Sequence, residues 1–163
     1  MKHKNLLSLT LLLFALGCTK SYINSIDTEL TKTDLYLNGK FLITQQDKKQ
    51  SGYFRIEQKN QSFKLSIGKN YLLPEESLNI PNDSKINLNE IFDGITFNGA
   101  YLISPLEIQE VLLGKPSEEI IQKFNVSYLD YDQKSALPTK ILLKMGEVQF
   151  IFIINDNDVG YES

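Results

Sequence analysis

From Asp34 onward, apolar and polar residues alternate with a period of two. Leu35, Leu37, Phe41 and Ile43 share one parity, and Lys40, Leu42 and Thr44 fall on the other. After polar Gln45 to Gln50, read as a turn, Phe54 and Ile56 alternate with Tyr53, Arg55 and Glu57. Lys59-Asn60-Gln61 marks the next turn, and Phe63, Leu65 and Ile67 then alternate with Ser62, Lys64 and Ser66. In an extended chain, residues of one parity share one face, so the spacing predicts three strands in an antiparallel meander, apolar on one side and wet on the other.

The period then changes. Leu88, Ile91, Phe92 and Ile95 lie three or four apart and predict a helix, which Gly94 weakens. A second helix is better marked: Ser104 caps it, Pro105 suits its first position, Glu107 completes a capping box, and Gly114 with Pro116 closes it after Leu113. Its apolar residues Ile108, Val111 and Leu112 form one stripe. Strand patterns resume with Phe124, Val126 and Tyr128, then Ile141, Leu143 and Met145, then Val148, Phe150, Phe152 and Ile154. Strands, two short helices and strands again make an α+β arrangement in which the helices cover the apolar sheet face.

Ahead of this domain, Met1-Lys2-His3-Lys4 precedes an apolar run from Leu6 to Leu16 and then Gly17-Cys18. The run is shorter than the roughly 20 apolar residues that span a bilayer, and a basic start with a small residue at the end fits a secretory leader. Phe14-Ala15-Leu16-Gly17-Cys18 resembles the lipobox of bacterial lipoproteins, with the usual Leu and Ala exchanged. The expectation is a leader over 1–17, a lipid-anchored tether or short helix over 18–33, and one domain over 34–163. Lipidation at Cys18, with palmitate or a similar acyl group, would anchor the chain stably, since two or more acyl chains suffice. Thr19 in place of Asp points, by the same resemblance, to the outer membrane.

Composition narrows the chemistry. The formal charge is −3, and loss of Lys2 and Lys4 takes it two units further negative; with Arg55 as the single arginine, nucleic acid is a poor partner. His3 is the only histidine and Cys18 the only cysteine, so the mature chain has no imidazole or free thiolate for catalysis or metal binding, and no internal disulfide. The carboxylate pairs Asp130 with Asp132 and Asp156 with Asp158 read as solvated charges in a hairpin connection and a C-terminal segment. The latter lacks the pattern and closing Glu of a calcium loop. No catalytic residue, metal or cofactor is expected.

Three stretches resemble the LolB family of outer-membrane lipoprotein receptors in the Lol sorting system. They are Asn38 to Ile43 with Gln50 to Gln58 and Ser62 to Ile67; Pro105-Leu106 through Val111-Leu112-Leu113-Gly114-Lys115-Pro116; and Phe124 to Tyr131 with Leu137-Pro138-Thr139-Lys140-Ile141-Leu142-Leu143. They cover about residues 34 to 158 in the family's order. The chain departs from the family in having no Trp and in a short region from Ser77 to Lys85.

The resemblance implies an incomplete antiparallel β-barrel, a half-barrel, with a helical lid over an apolar cavity that takes the acyl chains of cargo lipoproteins. Phe41, Ile43, Phe54, Ile56, Phe63, Leu65 and Ile67 are the same-face residues that would line it, and Ile108, Val111 and Leu112 would face it from the lid. The same periodicity also describes a filled core. In the family the loop after the third strand projects an apolar residue that promotes delivery to the bilayer, and Tyr71, Leu72 and Leu73 stand at that place here. The implied role is a monomeric chaperone in protein transport. It would receive lipoprotein cargo from a LolA-like periplasmic carrier and insert it into the outer membrane, where the receptor is lipid-anchored and faces the periplasm. The competing expectation is a structural or accessory lipoprotein of an envelope assembly complex, with a filled core and no acyl-chain cavity.

Overall fold

The computed structural model describes residues 34–59, 62–69, 74–92, 94–99 and 101–160. Leader 1–17, Cys18, tether 18–33 and Tyr71, Leu72 and Leu73 lie outside these residues.

The alternating stretches form β1 (Asp34–Gln45), β2 (Lys48–Lys59) and β3 (Ser62–Gly68), an antiparallel meander as the spacing predicts. The first turn is tighter than expected. Polar Gln45 and Lys48 to Gln50 extend the two strands, so that only Gln46 and Asp47 turn, with Gln46 at a positive φ of 53°. The meander is then extended on both sides. β4 (Glu76–Pro81) adds to β3, while β7 (Val126–Tyr131), β8 (Pro138–Met145) and β9 (Val148–Gly160) add through β9 to β1. The result is a seven-stranded antiparallel sheet in the order β4-β3-β2-β1-β9-β8-β7. It is open, with β4 and β7 as its edges, and the fold is mostly β. Edge strands are templates for unwanted pairing unless blunted; β4 is short and its residues, apart from Ile80, are exposed, with Glu76 and Pro81 at its ends.

Between β4 and β7 the chain forms a second, two-stranded sheet, β5 (Ile86–Asn87) with β6 (Leu102–Ile103), and three helices. α1 (Leu88–Ile91) is a single turn, shorter than the Leu88 to Ile95 spacing suggests. Asn87 caps it, but the chain leaves helical geometry at Phe92 and turns at Gly94, whose φ is +80°. Ile95 is buried all the same, from a loop. α2 (Pro105–Leu112) has the expected start, with both arms of the capping box made: Ser104 Oγ accepts from the Glu107 N–H at 3.2 Å, and Glu107 Oε2 accepts from the Ser104 N–H at 2.6 Å.

α3 (Glu118–Phe124) corrects the sequence reading, which placed Phe124 on a strand. Ser117 accepts from the Ile120 N–H, Glu118 and Glu119 favour the positive helix start, and Lys123 the negative end. Ile120 and Phe124 then lie four apart on one face. Asn125, left-handed at φ 42°, switches the chain directly from α3 into β7, so helix and strand run together without a polar break.

The inner sheet face and the buried helix residues form one apolar cluster. Phe63, Ile43, Phe124 and Ile141 are fully inaccessible. Burying such side chains stabilises the fold by about 1.5–3 kcal/mol each. No described helix is long and apolar enough to cross a membrane.

Candidate apolar binding site

Side chains of one parity on β1, β2 and β3 all meet one side of the sheet, and the register aligns them: Phe41 opposite Gly52, Leu37 opposite Ile56, Ile56 opposite Leu65 and Phe54 opposite Ile67. β9 brings Phe150 and Phe152 to the same side, opposite Ile43 and Phe41. Over this surface α2 presents Ile108, Val111 and Leu112, and α1 presents Leu88 and Ile91. The space left between is a cavity of about 80 Å³, and every side chain that lines it is apolar.

Of the seven residues expected on the cavity wall, Phe41, Phe54, Ile56, Leu65 and Ile67 line it. Ile43 and Phe63 do not. Both have zero exposure and pack within the solid core at its margin, because strands longer than the cavity carry their inner-face residues past its ends. Ile108, Val111 and Leu112 all line it, as the helical stripe requires.

Several wall residues escaped the sequence reading as site residues. Phe92, Ile103, Leu143, Met145, Phe150, Phe152 and the helical Phe124 complete the wall. The alternation Val148, Phe150, Phe152, Ile154 was the available signal, but nothing local says that the last strand pairs with the first. Phe92 sits edge-on to both Phe41 and Phe150, with ring centroids 5.6 and 5.2 Å apart, the geometry favoured by ring quadrupoles. Phe97 stacks on Phe150 at 5.8 Å. The loop that carries these two rings is tied by its main chain. The Gln45 side chain both donates to the Thr96 carbonyl and accepts from the Thr96 N–H, and Asn89 accepts from the Phe97 N–H while donating to the Gly99 carbonyl.

Polar ties in the helical layer run mostly among its own elements. Lys123 on α3 pairs with Glu107 on α2 at 2.9 Å and also donates to the Leu102 carbonyl on β6. Burial pushes the Glu107 carboxyl up, but the Ser104 N–H and Lys123 outweigh it and hold the group below its ordinary value. Burial pushes the Tyr128 phenol well above the usual tyrosine range, helped by Tyr131 and Glu110.

The carboxylate pairs occupy other places. Asp132 accepts from the Ser135 N–H at 2.7 Å, from Ser135 Oγ and from the Lys134 N–H, bonds that hold its carboxyl below the ordinary value and shape the β7 to β8 turn. Asp130 is exposed on β7, and Asp156 on β9 accepts from Asn38 Nδ2 at 3.1 Å. Among the described residues, no three His, Cys, Asp or Glu side chains are grouped to hold a metal ion.

Eighty cubic ångströms is small. An apolar cavity of about 150 Å³ admits benzene, and pockets for small molecules run from about 300 to 1,000 Å³. In this conformation the site excludes an acyl chain, and only separation of helices from sheet would admit one. Comparison with known proteins finds no family model that matches the chain and no match among curated proteins.

Proposed function

We propose that the protein is a lipid-anchored acceptor of lipoproteins, which binds their acyl chains between the inner sheet face and a lid formed by α1 and α2, and passes them to the outer membrane. One observation carries the reading: the cavity between sheet and helices is lined by apolar side chains throughout, so whatever separates the two layers there uncovers a surface suited to hydrocarbon.

The energies are of matching size. Lifting Leu88, Ile91, Ile108, Val111 and Leu112 off the sheet forfeits about 1.5–3 kcal/mol per side chain, and each buried methylene of an entering chain returns about 0.8 kcal/mol. About ten to twenty methylenes therefore offset the opening. Hydrocarbon offers no directional bonds, so a wall of Phe, Ile and Leu accepts differing cargo lipids alike. The lipobox-like Phe14 to Cys18 supplies the anchor in this reading, a LolA-like carrier the donor, and Tyr71 to Leu73 the loop that meets the bilayer.

The decisive experiment is transfer. A chain starting at Thr19 is mixed with periplasmic carrier loaded with radiolabelled lipoprotein, and the label is expected to move to it. Failure to take up either lipoprotein or a fluorescent fatty acid overturns the proposal. The small cavity volume favours a second reading, an accessory envelope lipoprotein with a filled core, for which absence of uptake is the expected result.

A further inference from the structure

The solvent-facing side of the sheet, opposite the cavity, is not uniformly polar. The register sets Leu42 beside Ile151 and Ile151 beside Leu142 across β1, β9 and β8, with Ile153 one row away and 44 % exposed. Four apolar side chains thus adjoin one another on the face that alternation reserves for polar residues. They lie in and beside an open groove of about 580 Å³, to which Leu42, Ile151, Ile153 and Tyr53 contribute.

Lysines surround that floor. Lys40 and Lys140 flank Ile153 from either side, and Lys69 also lines the groove. Lys49 and Lys144 stand two rows further on, level with Thr44 and Gln149. The acidic groups near this end are Asp130, opposite Lys140, Asp47 and Glu147 in the turns, where Glu147 accepts from Gln46, and Glu75 just before β4, which pairs with Arg55. The ion pairs found among the described residues, Arg55 with Glu75 and Lys123 with Glu107, involve none of the five lysines.

The other end of the same face has the opposite sign. Glu57, Tyr36 and Asp158 share a row, Asp156 lies beside Asn38 in the next, and Asp34, Glu57 and Asp158 line a second groove there with Lys59, while Lys64 stands opposite Glu57 and Arg55 opposite Asn38. On this outer face five lysines therefore stand around an apolar floor at one end, and acids gather at the other.

We propose that this basic end of the outer face is a docking surface for an anionic phospholipid bilayer. Lysine stems lie along apolar surface and carry their ammonium groups to the phosphates, while Leu42, Ile151 and Ile153 meet the acyl boundary. The acidic end is repelled, so the dipolar face sets an orientation as well as an affinity. The surface lies on the opposite side of the sheet from the acyl-chain seam and its role does not depend on that reading.

The test is co-sedimentation of the chain starting at Thr19 with vesicles. This chain keeps every described strand and helix and lacks both the apolar leader and Cys18. It is expected to bind vesicles of equimolar phosphatidylcholine and phosphatidylglycerol, to ignore phosphatidylcholine alone, and to be released by salt. Lys40→Gln, Lys69→Gln and Lys140→Gln together should weaken binding on the order of 100-fold, as follows from the contribution of each lysine at an anionic surface. All three sites are exposed, and an unchanged melting temperature shows that the triple variant folds. Lys59→Gln with Lys64→Gln, at the acidic end, should bind as the wild type does. Equal binding by wild type and triple variant, equal loss in the two sets of variants, or no preference for the anionic vesicles overturns the proposal. Fatty-acid uptake by the triple variant at the wild-type level separates this surface from the acyl-chain seam.

Discussion

Tyr128 Oη on β7 donates to the main-chain carbonyl of Val111 on α2, at 3.0 Å. Among the described residues this is the hydrogen bond that joins the large sheet to α2. Removing the hydroxyl in Tyr128→Phe leaves the Val111 carbonyl its Gly114 N–H partner, so the cost should stay near 1 kcal/mol, read as a shift in urea unfolding. If α2 is the lid, the same variant should take up fluorescent fatty acid faster. The pH dependence has a definite sign. The phenol is raised above its unfolded value of about 10, so its stabilising contribution is complete below that pH and is lost as pH rises towards the folded value. Wild type and Tyr128→Phe should therefore converge in stability in strong alkali.

Glu107 works at the opposite end of the scale. It caps α2 through the Ser104 N–H and pairs with Lys123, and its folded value lies below the ordinary one despite burial. A depressed carboxyl stabilises above the unfolded value of about 4.3 and loses that contribution as pH falls through the folded value. Thermal melts of Glu107→Gln should show lower stability at neutral pH and a shallower decline below about pH 4.3 than the wild type. Parallel acid profiles for the two proteins would show that the pair contributes nothing.

The cavity itself can be varied in both directions. Leu112→Ala removes a buried wall residue and should cost about 2–5 kcal/mol while enlarging the 80 Å³ space. Val111→Phe adds volume where there is little, at about 1–3 kcal/mol. For an acyl-chain acceptor, fatty-acid binding should rise in the first variant and fall in the second. For a filled structural core, wild type and Val111→Phe should both bind nothing.

How much of this was legible in the sequence depended on how local each cause is. Strict alternation in β1 to β3 marked the inner face correctly because parity needs no partner. The α2 capping box needed only Ser104, Pro105 and Glu107, which are adjacent. Phe124 misled because it stands two residues before Val126, in step with the strand that follows, and only the left-handed Asn125 separates the two periods. The pairing of β9 with β1 joins residues more than a hundred positions apart, and Phe150 and Phe152 could not be placed on the cavity wall without it. β4 went unread since Leu78 and Ile80 are its only apolar alternation, too short to stand out, and Leu78 is itself exposed. The outer-face lysines were visible one by one, yet their convergence belongs to register alone.

Gly39 and Phe54 supply a test of that register. They are opposite each other on β1 and β2, while on the neighbouring rungs Gly52 faces Phe41 in the reverse sense, so each glycine is covered by an aromatic ring. A methyl group on Gly39 would meet the Ile153 carbonyl oxygen and lie 2.9 Å from Phe54 Cε1. Propensity alone predicts that alanine is the better strand residue, by about 0.5–1 kcal/mol. The contact predicts the opposite sign, because a ring can turn aside but the main-chain oxygen of β9 belongs to the ladder. Gly39→Ala should therefore be destabilised by about 1–3 kcal/mol in urea unfolding. Gly146→Asn, in a turn at φ +60° with open space around it, should remain within about 0.5 kcal/mol of the wild type. Adding Phe54→Leu to Gly39→Ala should recover little, since the ring is the yielding partner. Substantial recovery in that double variant would place the obstruction in the ring instead of the β9 backbone.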